Sequence, residues 1–154
     1  MRRAFYLVEC YSRMHNSQIV SGQVSDTFEL SMALQYLKSQ IFELKIRGMN
    51  EFKFIFLKVQ NRATNSEEQL RARDLEFCQY LTFDKFSQFL VENQVVEIVF
   101  TESPHQELIK RSLEMIYLRS LDKTNPINEK LVDTIWQCCT QKHEAVSRAT
   151  FTVL

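Results

Sequence analysis

Phe42–Val59 reads FELKIRGMNEFKFIFLKV, and its periodicity decides the fold. Phe52, Phe54 and Phe56 alternate with Lys53, Ile55 and Leu57, which allows a strand, yet the run is apolar on nearly all sides, as a buried helix is. Length arbitrates. The stretch lacks Pro and is rich in Leu, Lys, Glu and Met, so it is predicted as one long helix. Gly48 costs roughly 1 kcal/mol there relative to Ala, and its place suggests a kink or a close approach by a second helix.

Upstream, Arg3–Met14 is predicted helical and Gly22–Ser25 a break. Asp26 with Glu29 has capping-box spacing, ahead of Leu30, Ala33, Leu34 and Leu37 at helical intervals. Downstream, Gln60–Ser66 reads as a polar loop, Ser66 as the cap of a helix Glu67–Tyr80, and Glu67 with Arg71 as an i,i+4 ion pair. Thr82 caps a helix with Phe86, Phe89 and Leu90 on one face, and Asn93–Gln94 interrupts it. Val95–Phe100 is β-branched, but a buried helical turn suits its neighbours better.

Ser103-Pro104-His105-Gln106 reads as cap, first helical residue and capping box. Leu108, Ile109, Ser112, Leu113, Ile116 and Tyr117 then form one face. After a loop at Asp122–Pro126, Asn128 caps a helix lined by Leu131, Val132, Ile135, Trp136 and Cys139. A last helix begins near Gln141 and carries Val146, Ala149 and Val153, expected to be exposed unless another repeat covers them. The helix meets Leu154 with no stop signal, which suggests a fragment of a longer array.

Composition agrees with helices. Apolar residues make up 45% of the 154, with twelve Phe and one Trp for the core, and only two Gly and two Pro, too few for the turns of an all-β chain. Lys plus Arg is 19 and Asp plus Glu is 19, so no broad field favours nucleic acid or an anionic membrane. The basic start MRRAFYLVECYSRMHNS has a short apolar run broken by Glu9, a poor signal peptide, and no run approaches the length of a membrane span.

The blocks YLKSQIFELKIRGMNEFK (Tyr36–Lys53) and LVDTIWQCCTQKHEAV (Leu131–Val146), in this order and spacing, resemble the large fat-facets-type ubiquitin-specific proteases, in the long helical region ahead of their protease domain. Within the second block, Trp136 and Lys142-His143-Glu144-Ala145 stand at the family's spacing. The resemblance runs from about Leu34 to Val146. It implies an all-α, armadillo- or HEAT-like solenoid segment of roughly three to four stacked helical pairs, one unit over residues 1–154 with no protease domain.

Chemistry is sparse. A ubiquitin-specific protease needs a Cys nucleophile box rich in Gly and Asn, and a distant His box. Cys10, Cys78, Cys138 and Cys139 all lack that setting, and no C-x-x-C occurs. The four read as reduced core thiols of a cytosolic or nuclear protein. Cys139 and His143 share a face at i,i+4, but no second cluster completes four metal ligands. His15 reads as solvated and His105 as structural, with contact to a partner as its alternative. Trp136 is weighed as a binding anchor and expected in the core with Ile135, Val132 and Cys139. The Phe at 52, 54, 56, 83, 86 and 89 are likewise expected in the core. No catalytic, cofactor-binding or metal residue is assigned.

The expected role is a non-catalytic, cytoplasmic scaffold that recruits ubiquitinated substrates or other protein partners and packs against further helical repeats, with neither nucleic acid nor membrane as partner. An unrelated helical-repeat adaptor is the alternative. A small thiol hydrolase is disfavoured by the missing Gly-rich nucleophile setting.

Overall fold

The computed structural model describes residues 18–64, 81–102, 104–121, 127–141 and 144–152. Its helices are α1 (Gln18–Leu37), α2 (Phe42–Thr64), α3 (Phe83–Glu92), α4 (Val95–Thr101), α5 (Gln106–Leu121), α6 (Glu129–Gln141) and α7 (Glu144–Phe151). Among the described residues there is no strand.

Phenylalanine decides the period of α2. Phe52 and Phe56 are buried, while Phe54 between them is 62% exposed. A strand would turn all three the same way; a helix turns the middle one out. Lys45, Met49, Phe52, Phe56 and Val59 mark the buried stripe. Phe54 therefore departs from the expected core set. The helix continues to Thr64, so Gln60–Thr64 is not loop. The predicted helices at Arg3–Met14 and Glu67–Tyr80 lie outside the described residues.

Gly48 permits a close crossing. A Cβ built there would sit 2.7 Å from both the Ala33 carbonyl oxygen and the Leu37 nitrogen of α1. Both are backbone atoms, so no rotamer change could relieve the contact.

The break expected at Gly22–Ser25 does not occur, because α1 runs through it. Asp26 is a buried tertiary ligand instead of a cap. Its Oδ2 accepts the Leu81 amide at 3.2 Å, and its Oδ1 lies 3.4 Å from Lys58 Nζ, which also meets Glu29 Oε2 at 3.0 Å. One lysine on α2 thus holds the Asp and Glu of the apparent capping box. Two more buried turns, at Leu30 and Leu37, carry α1 along α2.

The remaining starts are local. Thr82 Oγ1 accepts the Lys85 amide at 3.4 Å, and Asn128 Oδ1 accepts that of Leu131 at 2.9 Å. Gln94, in the left-handed region at φ 51°, turns the chain from α3 into α4. Val95, Val96, Ile98, Val99 and Phe100 are all buried in α4, as a helical turn in the core predicts. Helix α5 starts two residues later than its sequence signature. The His105 carbonyl accepts the Ile109 amide at 3.0 Å and His105 Nδ1 accepts that of Glu107 at 3.2 Å, so His105 takes the cap position and Pro104 precedes the helix. Ser103 lies outside the described residues.

Helices α1 and α2, α4 and α5, and α6 and α7 pack as sequential pairs. The pairs stack through their second helices, α2 on α5 and α5 on α7, and α4 also packs on α6. Arg111 donates to Asn50 Oδ1 and Lys53 to Glu114 Oε1, each bond joining residues 61 apart. An equal offset means that α2 and α5 run in the same direction, as equivalent members of successive repeats do. This is the armadillo-like stack expected from the sequence.

One ion pair lies deep in the stack. Arg119 of α5 is 1% exposed and meets Glu97 of α4 at 2.8 Å. Arg119 Nε and Glu97 Oε2 have no hydrogen-bond partner among the described residues.

Candidate partner-binding surface

The described cysteines are set for packing. Cys138 and Cys139 are buried in α6, and Thr150 Oγ1 of α7 lies 3.8 Å from Cys138 Sγ. Burial first, and then the neighbouring Cys138, push the Cys139 thiol above its ordinary range. A thiol nucleophile needs the opposite shift. Cys10, Cys78, His15 and His143 lie outside the described residues. Among those described, no three His, Cys, Asp or Glu side chains group as a metal site. His105 packs edge-on against Phe42, ring centroids 4.3 Å apart, which joins the start of α5 to that of α2.

Apolar side chains do reach the surface. On α6 the buried residues are Leu131, Ile135, Cys138 and Cys139, while Val132 is 44% and Trp136 55% exposed. Trp136 is thus not the core residue expected. At 100° per residue, the apolar arc of α6 is wider than the part that α4 and α7 cover, and Val132 and Trp136 are the excess, one helical turn apart. Phe54 and Leu57 on α2 and Tyr117 on α5 are also exposed. On α5 the expected Leu108, Ile109, Ser112 and Ile116 are buried, but the buried face also takes in Met115, Leu118 and Arg119 and leaves Tyr117 out. Ala149 is buried and Val146 packs on the core, because α7 lies against α5 and α6; their expected exposure does not hold. Val153 lies outside the described residues.

Between α5 and α7 runs a groove of about 470 Å³, open to solvent and lined by Gln106, Lys110, Glu144, Ala145, Arg148 and Ala149 among others. Sequence reasoning missed it. The available signal was the i,i+4 pair Ala145 and Ala149, whose methyls leave space that larger side chains would fill.

No helix among the described residues is long and apolar enough to cross a membrane.

Residues 23–154 match the family described as UBP24/USP9X/USP9Y ARM repeat. Among curated proteins, ubiquitin carboxyl-terminal hydrolase 9Y of Homo sapiens is 28% identical over 124 residues, covering 79% of this chain and 4% of the relative. The probable ubiquitin carboxyl-terminal hydrolase FAF of Drosophila melanogaster is 26% identical over 121 residues, again 79% of this chain and 4% of the relative. Ubiquitin carboxyl-terminal hydrolase puf of Drosophila melanogaster is 25% identical over 132 residues, 84% of this chain and 3% of the relative. The chain therefore spans only a small part of the length of the curated relatives it matches. No solved structure matches it.

Proposed function

Because the chain belongs to the UBP24/USP9X/USP9Y ARM repeat family, we propose that it is a non-catalytic segment of a large deubiquitinase, scaffolding that enzyme and recruiting its ubiquitinated substrates in the cytoplasm. The match of a repeat family across residues 23–154 carries this reading. The relatives are named ubiquitin carboxyl-terminal hydrolases, and this region is 3–4% of their length. The geometry supports a division of labour. The described thiols are buried among core side chains, while apolar side chains stand on the surface of a stack of helical pairs.

Two surfaces serve two tasks in this reading. The Val132–Trp136 stripe extends the apolar arc of α6 sideways, in continuity with its packed face, and takes a helix of a further repeat. The row formed by α2, α5 and α7 faces partners. Membership in the family displaces the alternative of an unrelated helical adaptor.

The test is made in the deubiquitinase that carries this segment. With residues 23–154 excised, cleavage of a small fluorogenic ubiquitin reporter is expected to persist and turnover of a ubiquitinated protein substrate to fall. Equal loss of both activities would refute the scaffold reading, as would full turnover of the protein substrate.

A further inference from the structure

The groove between α5 and α7 carries a cation with no counterion among the described residues, and its neighbours show why. Lys110 lies on its wall. On α5, two carboxylates stand at helical reach of Lys110, Glu107 three residues before it and Glu114 four after. Both are engaged elsewhere. Glu107 Oε1 lies 2.7 Å from Arg111 NH2, and Glu114 pairs with Lys53 of α2. The carboxylate of the groove itself, Glu144, is bonded to Arg148 one turn along α7. The local sum is three carboxylates against four cations, and Lys110 is the one without an ion-pair partner among the described residues.

The rest of the groove suits an extended chain. Ala145 and Ala149 leave side-chain-sized room, the Gln106 amide offers a donor and an acceptor to a peptide backbone, and about 470 Å³ is within the range of small-ligand sites.

We propose that this groove binds an extended segment of a partner protein that carries a single acidic residue, with its Asp or Glu carboxylate on Lys110. The inference rests on the recruiting role above and gives it a location and a charge. Arg148 assists, since its bond to Glu144 uses one terminal nitrogen of the guanidinium and both side chains are exposed enough to turn. Glu144 excludes a second carboxylate nearby by repulsion, so the site prefers a single acidic residue flanked by small neutral ones. Glu107 and Glu114 stay out of the contact because Arg111 and Lys53 hold them.

The experiment is a titration of the whole 15N-labelled chain, followed by amide chemical shifts. The probes are two octapeptide pools, alike except for one fixed central residue, Glu in one and Gln in the other. The Glu pool is expected to give saturable shifts confined to the turns around Gln106, Lys110, Ala145 and Arg148, and to bind about fivefold tighter than the Gln pool, as for one exposed ion pair. Lys110→Glu should abolish that preference. Lys130→Glu, on an exposed turn of α6 and equal in charge change, should keep it. Equal shifts with both pools, shifts centred elsewhere, or an unchanged preference in Lys110→Glu would each overturn the proposal. Those results would leave the excision experiment untouched: a recruiting segment that passes the excision test and fails this one binds its partner through another face.

Discussion

Replacing Gly48 by Ala sets helix propensity against packing, and the geometry says which wins. In an isolated helix the change would stabilise by about 0.8–1 kcal/mol. In this chain the new Cβ would lie 2.7 Å from Ala33 O and Leu37 N, about 0.7 Å short of the 3.4 Å at which ordinary contact begins. Both obstacles are main-chain atoms of α1, so the helices themselves must part. Their interface is the most extensive between any two described helices, and it includes the buried Leu30, Ala33 and Leu37. Overpacking of this kind costs about 1–3 kcal/mol, and the upper end applies where no side chain can yield. After the propensity gain, a net loss of about 2 kcal/mol remains. For a chain of this size that lowers Tm by about 4–8 °C. Thermal and urea unfolding followed by circular dichroism measure it, with helix content at low temperature unchanged. A Tm equal to or above that of the parent would refute the close crossing and leave Gly48 as an ordinary helix interruption.

Further expectations concern the interior and the surface. Glu97→Ala strands the buried Arg119 charge and should cost about 3 kcal/mol in urea unfolding, the low end for a broken buried pair because Glu97 keeps some water contact; joint replacement with Arg119→Met should recover most of that loss. Asp26→Ala removes the acceptor of the Leu81 amide and a partner of Lys58, for about 1.5–3 kcal/mol, and hydrogen exchange at Leu81 should accelerate more than at Leu90. Ile135→Ala should cost about 2–5 kcal/mol, whereas its neighbour Trp136→Ala should cost under about 1 kcal/mol and the native Trp emission should be red-shifted and readily quenched by acrylamide. The raised Cys139 thiol favours the folded state fully below the ordinary thiol range near about 8.5. That contribution is lost as pH rises through the folded value, so unfolding free energy should fall on the alkaline side, and fall less in Cys139→Ala.

The helical class was readable because Phe42–Val59 is long, free of Pro and poor in strand punctuation. Thr82 and Asn128 were readable as caps because capping is a contact between residues three apart, and so is written locally. Asp26 shows the limit of that logic. Its spacing to Glu29 imitates a capping box, but its acceptor is spent on Leu81 and on Lys58, 55 and 32 residues away. His105 shows another limit, since an imidazole nitrogen can take the capping role that a nearby Ser and Pro advertise. On α6 the periodicity gave the apolar arc correctly, and it could not say how much of that arc a neighbour covers. Val132 and Trp136 share the arc with Leu131 and Ile135, and only the stacking of α4 and α7 separates the two sets. The groove was not legible for a related reason: it is an unfilled volume between helices, and one of the carboxylates within helical reach of Lys110, Glu114, is paired with Lys53 of α2, a contact between residues 61 apart.

The contacts between α2 and α5 also govern how the stack deforms. Its solvent edge is tied by Arg111 to Asn50 and by Lys53 to Glu114, groups that water can replace at small cost. Beneath them lies the close-packed apolar core, to which Phe52 of α2 and Met115 and Leu118 of α5 belong. A stack held by polar bonds at its surface and by close packing beneath is more compliant at the surface bonds than in its core. Ionic strength then acts on one tie and not the other: added salt weakens the Lys53–Glu114 ion pair, while the bond from Arg111 to the uncharged Asn50 amide and the apolar core are screened little.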